Sequence, residues 1–343
     1  MFDDENVFEV KESDVILNKK IDELLVGEGI KRDKFLDYTC VLLSDNKDVA
    51  ATGSCYKNTL RCLAVNKKFQ GEGLIGRIVS HLKQVQFERG NSHFFAYTKP
   101  LSSPSFFPLG FYEIERCSDT LVFMENKKGA FDNYLESLKK FKKTGKISAV
   151  VMNANPFTLG HQYLVKTASE LSDAVYVFVL SEDVSEFPFD VRMSLVKEGC
   201  KDFKNVIVLE SGSYIISSAT FPSYFLKSDD ETTLVHATLD ARLFVRIARC
   251  MNITKRFVGD EPYSDTTRIY NKVLLSHLSE NGIEVSIIPR CKKTDVAISA
   301  SEVRRRLVIG DYQFVKKVVP SSTLEFIMSS EGNKIVEIMR NKI

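Results

Sequence analysis

Three short β-prone runs, at 40–43, 50–55 and 60–65, are separated by the turn pairs Asp45-Asn46 and Lys57-Asn58. Apolar runs of that kind, bounded by turn residues, predict antiparallel strands. The period then changes. Leu74, Ile75, Ile78, Leu82, Val85 and Gln86 recur at helical spacing, so a helix follows. Residues 112–115 are extended again, and the first part reads as a mixed α+β domain.

Beyond residue 146 the pattern is regular. Runs at 147–152, 175–180, 206–209, 233–236, 256–258 and 285–288 are short, apolar and β-branched, which suits strands buried on both faces of a parallel sheet. Helical patterns such as 161–171 and 239–250 lie between them. This alternation predicts a doubly wound, Rossmann-like α/β domain that binds ligands at the C-terminal ends of its strands. Residues 131–146 join the parts. An amphipathic stretch there ends in Lys139-Lys140-Phe141-Lys142-Lys143-Thr144-Gly145-Lys146. It reads as a linker helix with a solvated basic end and Gly145 as its C-terminal cap. A patch for nucleic acid or an acidic protein is the other reading of that charge run. The division is thus 1–130, a linker at 131–146, and 147–343, and the first 35 or so residues carry no assignable pattern.

Composition narrows the class. At 343 residues, 44% hydrophobic and 27% charged, the chain can bury two cores, which excludes disorder and a disulfide-stapled miniature. With 47 Lys and Arg against 45 Asp and Glu the net charge is +2, so bulk charge points to no nucleic-acid and no membrane partner. No apolar run nears the roughly 18–20 residues that span a bilayer. The start, Met1-Phe2-Asp3-Asp4-Glu5, is acidic where a signal or transit peptide is basic. Cys40, Cys55, Cys62, Cys117, Cys200, Cys250 and Cys291 are odd in number and form no Cys-x-x-Cys, which fits a reducing cytoplasm.

Two segments of the second part can hold phosphate. Its first strand runs into Asn153-Ala154-Asn155-Pro156-Phe157-Thr158-Leu159-Gly160-His161, and a helix follows. Gly160 lets the backbone approach a ligand, and the helix start offers free N–H groups and its positive end. An imidazole there can donate to a phosphate oxygen as charge builds up. The second segment, Ile298-Ser299-Ala300-Ser301-Glu302-Val303-Arg304, follows the last strand and starts another helix. Two hydroxyls and helix N–H groups can meet phosphate oxygens while Arg304 supplies charge. Ser299 and Glu302 also fit a capping box, and both readings can hold. In the first part, Lys68-Phe69-Gln70-Gly71-Glu72-Gly73 sits at a strand-to-helix turn. It is a backbone nest for a pyrophosphate or a plain tight turn.

That loop, together with Phe106-Phe107-Pro108-Leu109-Gly110-Phe111, resembles the Gcn5-related N-acetyltransferase (GNAT) family. There a Gln/Arg-x-x-Gly-x-Gly/Ala loop cradles the pyrophosphate of coenzyme A. Lys68 replaces the usual Gln or Arg, and Phe106 stands where many members carry a tyrosine that protonates the departing thiolate. The run Asn-x-Asn-Pro-Phe-Thr-x-Gly-His resembles the nucleotide-binding signature of the nucleotidyltransferase superfamily in its Thr-x-Gly-His form. Residues 298–304 resemble the Ile-Ser-Ser-Thr-x-Ile-Arg motif of the same superfamily. A GNAT-like domain fused to a Thr-x-Gly-His domain resembles the citrate lyase ligase family, and segments 53–61, 214–222 and 256–262 are similar to it as well.

The resemblance implies an AMP-forming ligase. ATP and acetate would give acetyl-adenylate and pyrophosphate, and the acetyl group would pass to the thiol of the phosphoribosyl-dephospho-coenzyme A arm on the acyl carrier (gamma) subunit of citrate lyase. His161 and the helix after it would stabilise the transition state, Thr158 would donate to a phosphate oxygen, and Ser299, Ser301 and Arg304 would hold the β- and γ-phosphates with Mg²⁺. Asn153, Asn155 and Gly160 would line the ATP site, with Asn155 where relatives often have an aspartate. Gly259, Asp260 and Glu261 end a strand and either touch adenosine or only shape the loop. Arg192 reaches the phosphates or the carrier arm, or else forms a surface ion pair with Asp190 or Glu186. Gln70, Gly71 and Gly73 would take a coenzyme A-like diphosphate, and His236 ends a strand as a core histidine. A pantetheine-phosphate or mononucleotide adenylyltransferase would share both phosphate motifs without needing the first domain. A nucleotide sensor would share them without the chemistry. No Lys-Met-Ser-Lys-Ser element or large basic RNA domain marks an aminoacyl-tRNA synthetase relative.

Overall fold

The computed structural model describes residues 7–342 other than 118, 182–184, 216–220, 223, 225, 227, 261–264 and 290–297, and at 229 and 265–267 the backbone alone. The chain forms two compact units, Met1–Asn133 with Thr220–Leu239, and Tyr134–Ala219 with Asp240–Ile343.

The first unit is built on β1 (Val7–Glu9), β2 (Tyr38–Leu43), β3 (Val49–Tyr56), β4 (Thr59–Val65), β5 (Phe95–Thr98), β6 (Tyr112–Cys117) and β7 (Leu121–Glu125). They form one sheet in the order β1-β2-β3-β4-β5-β7-β6. Neighbours are antiparallel except β4 and β5, which run parallel and pair only at Thr59↔Phe95 and Leu60↔Ala96. Side chains alternate between faces. On β2, Cys40 and Leu42 pack with Ile78 and Leu82 of helix α2 (Leu74–Glu88), whereas Val41 packs with Ile21 and Leu25 of helix α1 (Val15–Gly27). Gly53 on β3 is required by that packing, because a Cβ there would collide with Ile78, Leu63 and Leu82. This mixed sheet with a glycine loop leading into α2 is the mixed α+β fold expected from the sequence.

The second unit holds a sheet of β8 (Ile147–Met152), β9 (Ala174–Val179), β10 (Val206–Glu210), β11 (Lys255–Gly259) and β12 (Glu284–Ile288), all parallel, in the order β10-β9-β8-β11-β12. Every residue of β9 is buried, which its unbroken apolar run requires. Strand order reverses between β8 and β11, so the ligand crevice of this fold lies beyond their C-terminal ends. After helix α3 (Ala130–Lys139) come α4 (Leu159–Glu170), α5 (Phe189–Cys200), α6 (Asp229–Met251), α7 (Asp265–Glu280), α8 (Ala300–Val308), α9 (Tyr312–Val318), α10 (Ser321–Met328) and α11 (Ser330–Arg340). Val150, Val177, Phe187, Phe257, Val303 and Val336 lie in the core. Among the described residues, no helix is long and apolar enough to cross a membrane.

Three expectations are corrected. Residues 233–236 are not a strand but lie inside α6. Ser228 caps that helix by accepting from Glu231 N at 3.2 Å, and Val235, Leu239, Leu243, Ile247 and Met251 form one buried i, i+4 stripe. A stripe of that length outweighs a short β-branched run. His236 is therefore a buried helical residue, its ring 4.8 Å from that of Phe221. Gly145 does not cap α3, which ends at Lys139. Its φ of +103° instead leaves the space that Asp173 enters to accept from Lys146 N at 2.6 Å, where a Cβ would block it. Finally, the single boundary at 131–146 gains a second exchange of chain, since Thr220–Leu239 packs with the first unit. Tyr224 makes the return specific, donating to the carbonyl of Tyr97 at 3.0 Å.

Candidate active site

The C-terminal end of β8 leads directly into α4, and Thr158 is its N-cap. Thr158 Oγ1 accepts from His161 N at 3.3 Å, and His161 Nδ1 accepts from Thr158 N at 3.1 Å. The reciprocal bonds form a capping box with histidine in the role usually taken by Glu or Gln. They also fix the imidazole. A backbone amide can only donate, so Nδ1 must be bare and the neutral ring carries its proton on Nε2. The ring stacks on Phe157 with centroids 5.8 Å apart, and burial pushes its pKa down to about 4. At neutral pH His161 is an uncharged donor held at a helix N-terminus. Thr158 itself is 1% exposed. Its Oγ1 accepts from His161 N and lies 3.0 Å from His161 Nδ1, so the hydroxyl borders the ring while its proton remains able to donate.

The second phosphate segment meets the first. Gly160 faces Ile298, and a Cβ on the glycine would stand 3.6 Å from both the side chain and the carbonyl of Ile298. That is ordinary contact, and no positive φ demands glycine, so packing alone does not explain the residue. Ser299 caps α8 by accepting from Glu302 N at 3.1 Å, and its hydroxyl lies 3.2 Å from that of Ser301. The cap is one-sided. The Glu302 carboxylate turns to Arg305 at 2.8 Å and Arg306 at 2.6 Å. Arg304 reaches across to donate from Nη1 to the carbonyl of Asn155 at 2.6 Å.

Asn155 is a buried junction. Its Nδ2 donates to Glu186 at 2.7 Å, and its Oδ1 accepts from Phe187 N at 3.1 Å. Burial pushes the Glu186 carboxyl up, but the Asn155 amide, its own backbone N–H and the Arg304 charge outweigh that and hold it below its ordinary value. Asn153 is exposed. Its Nδ2 donates to Ser185 Oγ at 3.0 Å, and its Oδ1 accepts from Arg192 at 2.8 Å. Arg192 is neither a surface residue nor extended into the crevice, since it is 0% exposed. It donates to the carbonyls of Asn153, Leu180 and Phe187 at 2.8–3.0 Å, tying together the chain ends beyond β8 and β9. Gly259 ends β11, the strand beside β8, and Asp260 follows it, its backbone N donating to Ile288 O at 2.9 Å. Glu261 lies outside the described residues. Glu186 is the site residue that sequence reasoning passed over, considered only as a partner for Arg192. Its position after β9, at the crevice end of the sheet, was the available signal.

In the first unit, β4 and β5 diverge after their two paired positions, and a cavity of about 410 Å³ opens there. Ala64, Val65, Gln70, Gly71, Gly73 and Tyr97 are among its lining residues. Gly71 and Gly73 have φ of +90° and +75° with open space where a Cβ would stand, and Gly73 is the N-cap of α2. Gln70 Nε2 donates to Glu28 and to Val65 O, both at 3.3 Å. Phe106 lines the cavity while buried in the core, its ring edge-on to Phe111.

Residues 147–327 match the model of the citrate lyase ligase C-terminal domain family. A [citrate [pro-3S]-lyase] ligase of Klebsiella pneumoniae is 38% identical over 282 residues, covering 80% of this chain and 82% of that protein. The protein of the same name from Escherichia coli K12 is 34% identical over 339 residues, covering 96% and 95%. A solved GNAT-family acetyltransferase from Staphylococcus aureus aligns with 36% of this chain and 99% of its own, at 15% identity and a TM-score of 0.31. The matched region contains both phosphate segments and the strands that carry them, and the similarity of the two ligases extends well beyond it, so this chain belongs to the citrate lyase ligase family.

Proposed function

We propose that the protein activates acetate with ATP and transfers the acetyl group to a carrier thiol of citrate lyase. The observation that carries this reading is the meeting of the two segments at the β8–β11 switch point, where Gly160 faces Ile298 and Arg304 donates to the carbonyl of Asn155, with His161 fixed at the N-terminus of α4. An acetate oxygen attacks the α-phosphorus, the bond to the bridging oxygen breaks, and pyrophosphate leaves. Such a step needs alignment and charge stabilisation more than covalent help. His161 donates from Nε2 to an α-phosphate oxygen, and Ser299, Ser301 and Arg304 hold the β- and γ-phosphates. Asn153, Asn155 and Gly160 shape the floor of the site, and Gly259 and Asp260 border the adenosine. The hydroxyls of Ser299 and Ser301 are hard oxygen donors, the class that suits Mg²⁺ arriving on a triphosphate. When bound, the ion supplies positive charge against the departing pyrophosphate. A thiol then attacks the acetyl carbonyl, the thioester forms, AMP leaves, and the thiol proton passes to solvent.

The thiol belongs to the phosphoribosyl-dephospho-coenzyme A arm of the acyl carrier subunit. The cavity between β4 and β5 favours a role for the first unit in holding that arm. Its glycine loop offers backbone N–H groups to a diphosphate, while Phe106 has no hydroxyl to protonate a leaving thiolate. Binding without transfer is the reading that fits. Similarity running through this unit also favours the ligase over a pantetheine-phosphate adenylyltransferase.

Gly71→Asn tests both halves, because Asn tolerates positive φ yet adds bulk. Wild-type protein is expected to exchange labelled pyrophosphate into ATP only when acetate is present. The variant should keep that exchange and acetylate the carrier about tenfold more slowly, the order of one lost charge-assisted contact. Exchange without acetate would contradict the adenylation step. Unchanged acetylation would contradict the arm site.

A further inference from the structure

Glu186 belongs to neither phosphate segment, yet it touches both. Its Oε2 accepts from Asn155 Nδ2 at 2.7 Å and lies 3.2 Å from Arg304 Nε. The two donors converge on one oxygen. Arg304 is thereby held at two points, its charge against Glu186 and its Nη1 on the Asn155 carbonyl. Among the described residues neither Nη2 hydrogen is taken, so one edge of the guanidinium remains for a ligand. The pair is partly sheltered, with side-chain exposures of 27% for Arg304 and 34% for Glu186. At that depth a charge pair can fix a side chain in a way that a fully solvated pair does not.

We propose that Glu186 is a positioning residue for Arg304, holding the guanidinium ready across the two segments so that ATP does not have to order it. This rests on the reading that Arg304 binds the β- and γ-phosphates. An arginine loses considerable rotamer freedom when it is fixed, and a fork already ordered in the free protein does not charge that loss to binding. The shared oxygen suggests the conservative variant. Gln keeps one carbonyl oxygen that can accept from both Asn155 and Arg304, while it removes the charge and turns the other oxygen into an NH2 donor.

The test is equilibrium binding of Mg-ATP and of AMP to the full chain as wild type, Glu186→Ala, Glu186→Gln, Arg304→Ala and the Glu186→Ala/Arg304→Ala double variant. Glu186→Ala should weaken ATP about tenfold and AMP less than about twofold, with AMP binding reporting an intact fold. Glu186→Gln should recover most of the ATP affinity. In the Arg304→Ala background, Glu186→Ala should cost nothing further. Unchanged or tighter ATP binding by Glu186→Ala overturns the proposal, the latter making Glu186 a restraint that ATP must break. A full further loss in the Arg304→Ala background overturns it too, since Glu186 would then act without Arg304. Glu186→Gln as weak as Glu186→Ala, with a higher Mg²⁺ requirement, overturns it in favour of a carboxylate that binds the metal. If Arg304→Ala alone leaves ATP binding unchanged, the phosphate role of Arg304 fails, and the silent single variant identifies that cause.

Discussion

Replacing His161 with alanine is expected to slow acetate-dependent pyrophosphate release on the order of 10²–10³-fold, the usual loss for one preorganised donor to a developing oxyanion. ATP binding should change far less, because a donor aimed at charge that builds during reaction contributes little to the ground state. The geometry adds a second expectation. With its pKa pushed down to about 4 by burial, the imidazole is neutral throughout the physiological range. The rate should therefore show no titration of His161 between about pH 5 and 8. Stability carries the same signature with a definite sign. A folded-state pKa below the ordinary value near 6.5 means that the unfolded chain takes up the proton first. The contribution of the neutral ring is present above pH 6.5 and is lost as pH falls toward 4. His161→Ala should flatten that part of the stability profile. Near-normal adenylation by a folded His161→Ala protein would contradict the assignment.

The second large effect is expected at Arg304. Arg304→Ala should weaken ATP by about 10–100-fold, the range for losing a charged hydrogen-bonding group. AMP should weaken by no more than about threefold, because it lacks the phosphates assigned to the guanidinium. Titration of both nucleotides against the same variant separates the two roles open to this side chain. Equal losses would make Arg304 a structural bridge between Asn155 and Glu186 and nothing more.

Features written in local chemistry were legible in the sequence. The buried strands of the parallel sheet announce themselves as apolar runs, and both phosphate segments are contiguous stretches whose residue types need no distant partner. The glycine loop before α2 is equally local. What escaped depends on contacts far apart in the chain. Thr233 to His236 reads as a strand until the buried stripe is followed from Val235 to Met251, about four and a half helical turns. Glu186 carries no motif, and its meaning comes from Asn155 and Arg304, which reach it from two other segments. Arg192 looks like a surface cation because arginines usually are, and its burial is tolerable because the carbonyls of Asn153, Leu180 and Phe187 and the side chain of Asn153 accept from it. The hydroxyl of Thr158 is legible as a local feature, whereas the bond by which its backbone N–H fixes the His161 ring appears only in the folded cap. The return of Tyr224 to the carbonyl of Tyr97 had no signal in either segment alone.

Acetate labelled with oxygen-18 in both carboxylate positions reports whether its oxygen bonds to the α-phosphorus. The protein is incubated with Mg-ATP, labelled acetate and the thiol form of citrate lyase, and the nucleotide products are weighed by mass spectrometry. Attack of acetate on the α-phosphorus followed by thiol attack on the carbonyl carbon leaves one labelled oxygen on AMP and the other in the thioester. The expected product is AMP carrying a single oxygen-18, formed together with unlabelled pyrophosphate and an acetylated carrier subunit. Unlabelled AMP, or ADP accompanied by labelled orthophosphate, would contradict it, because either result means that acetate never bonded to the α-phosphorus.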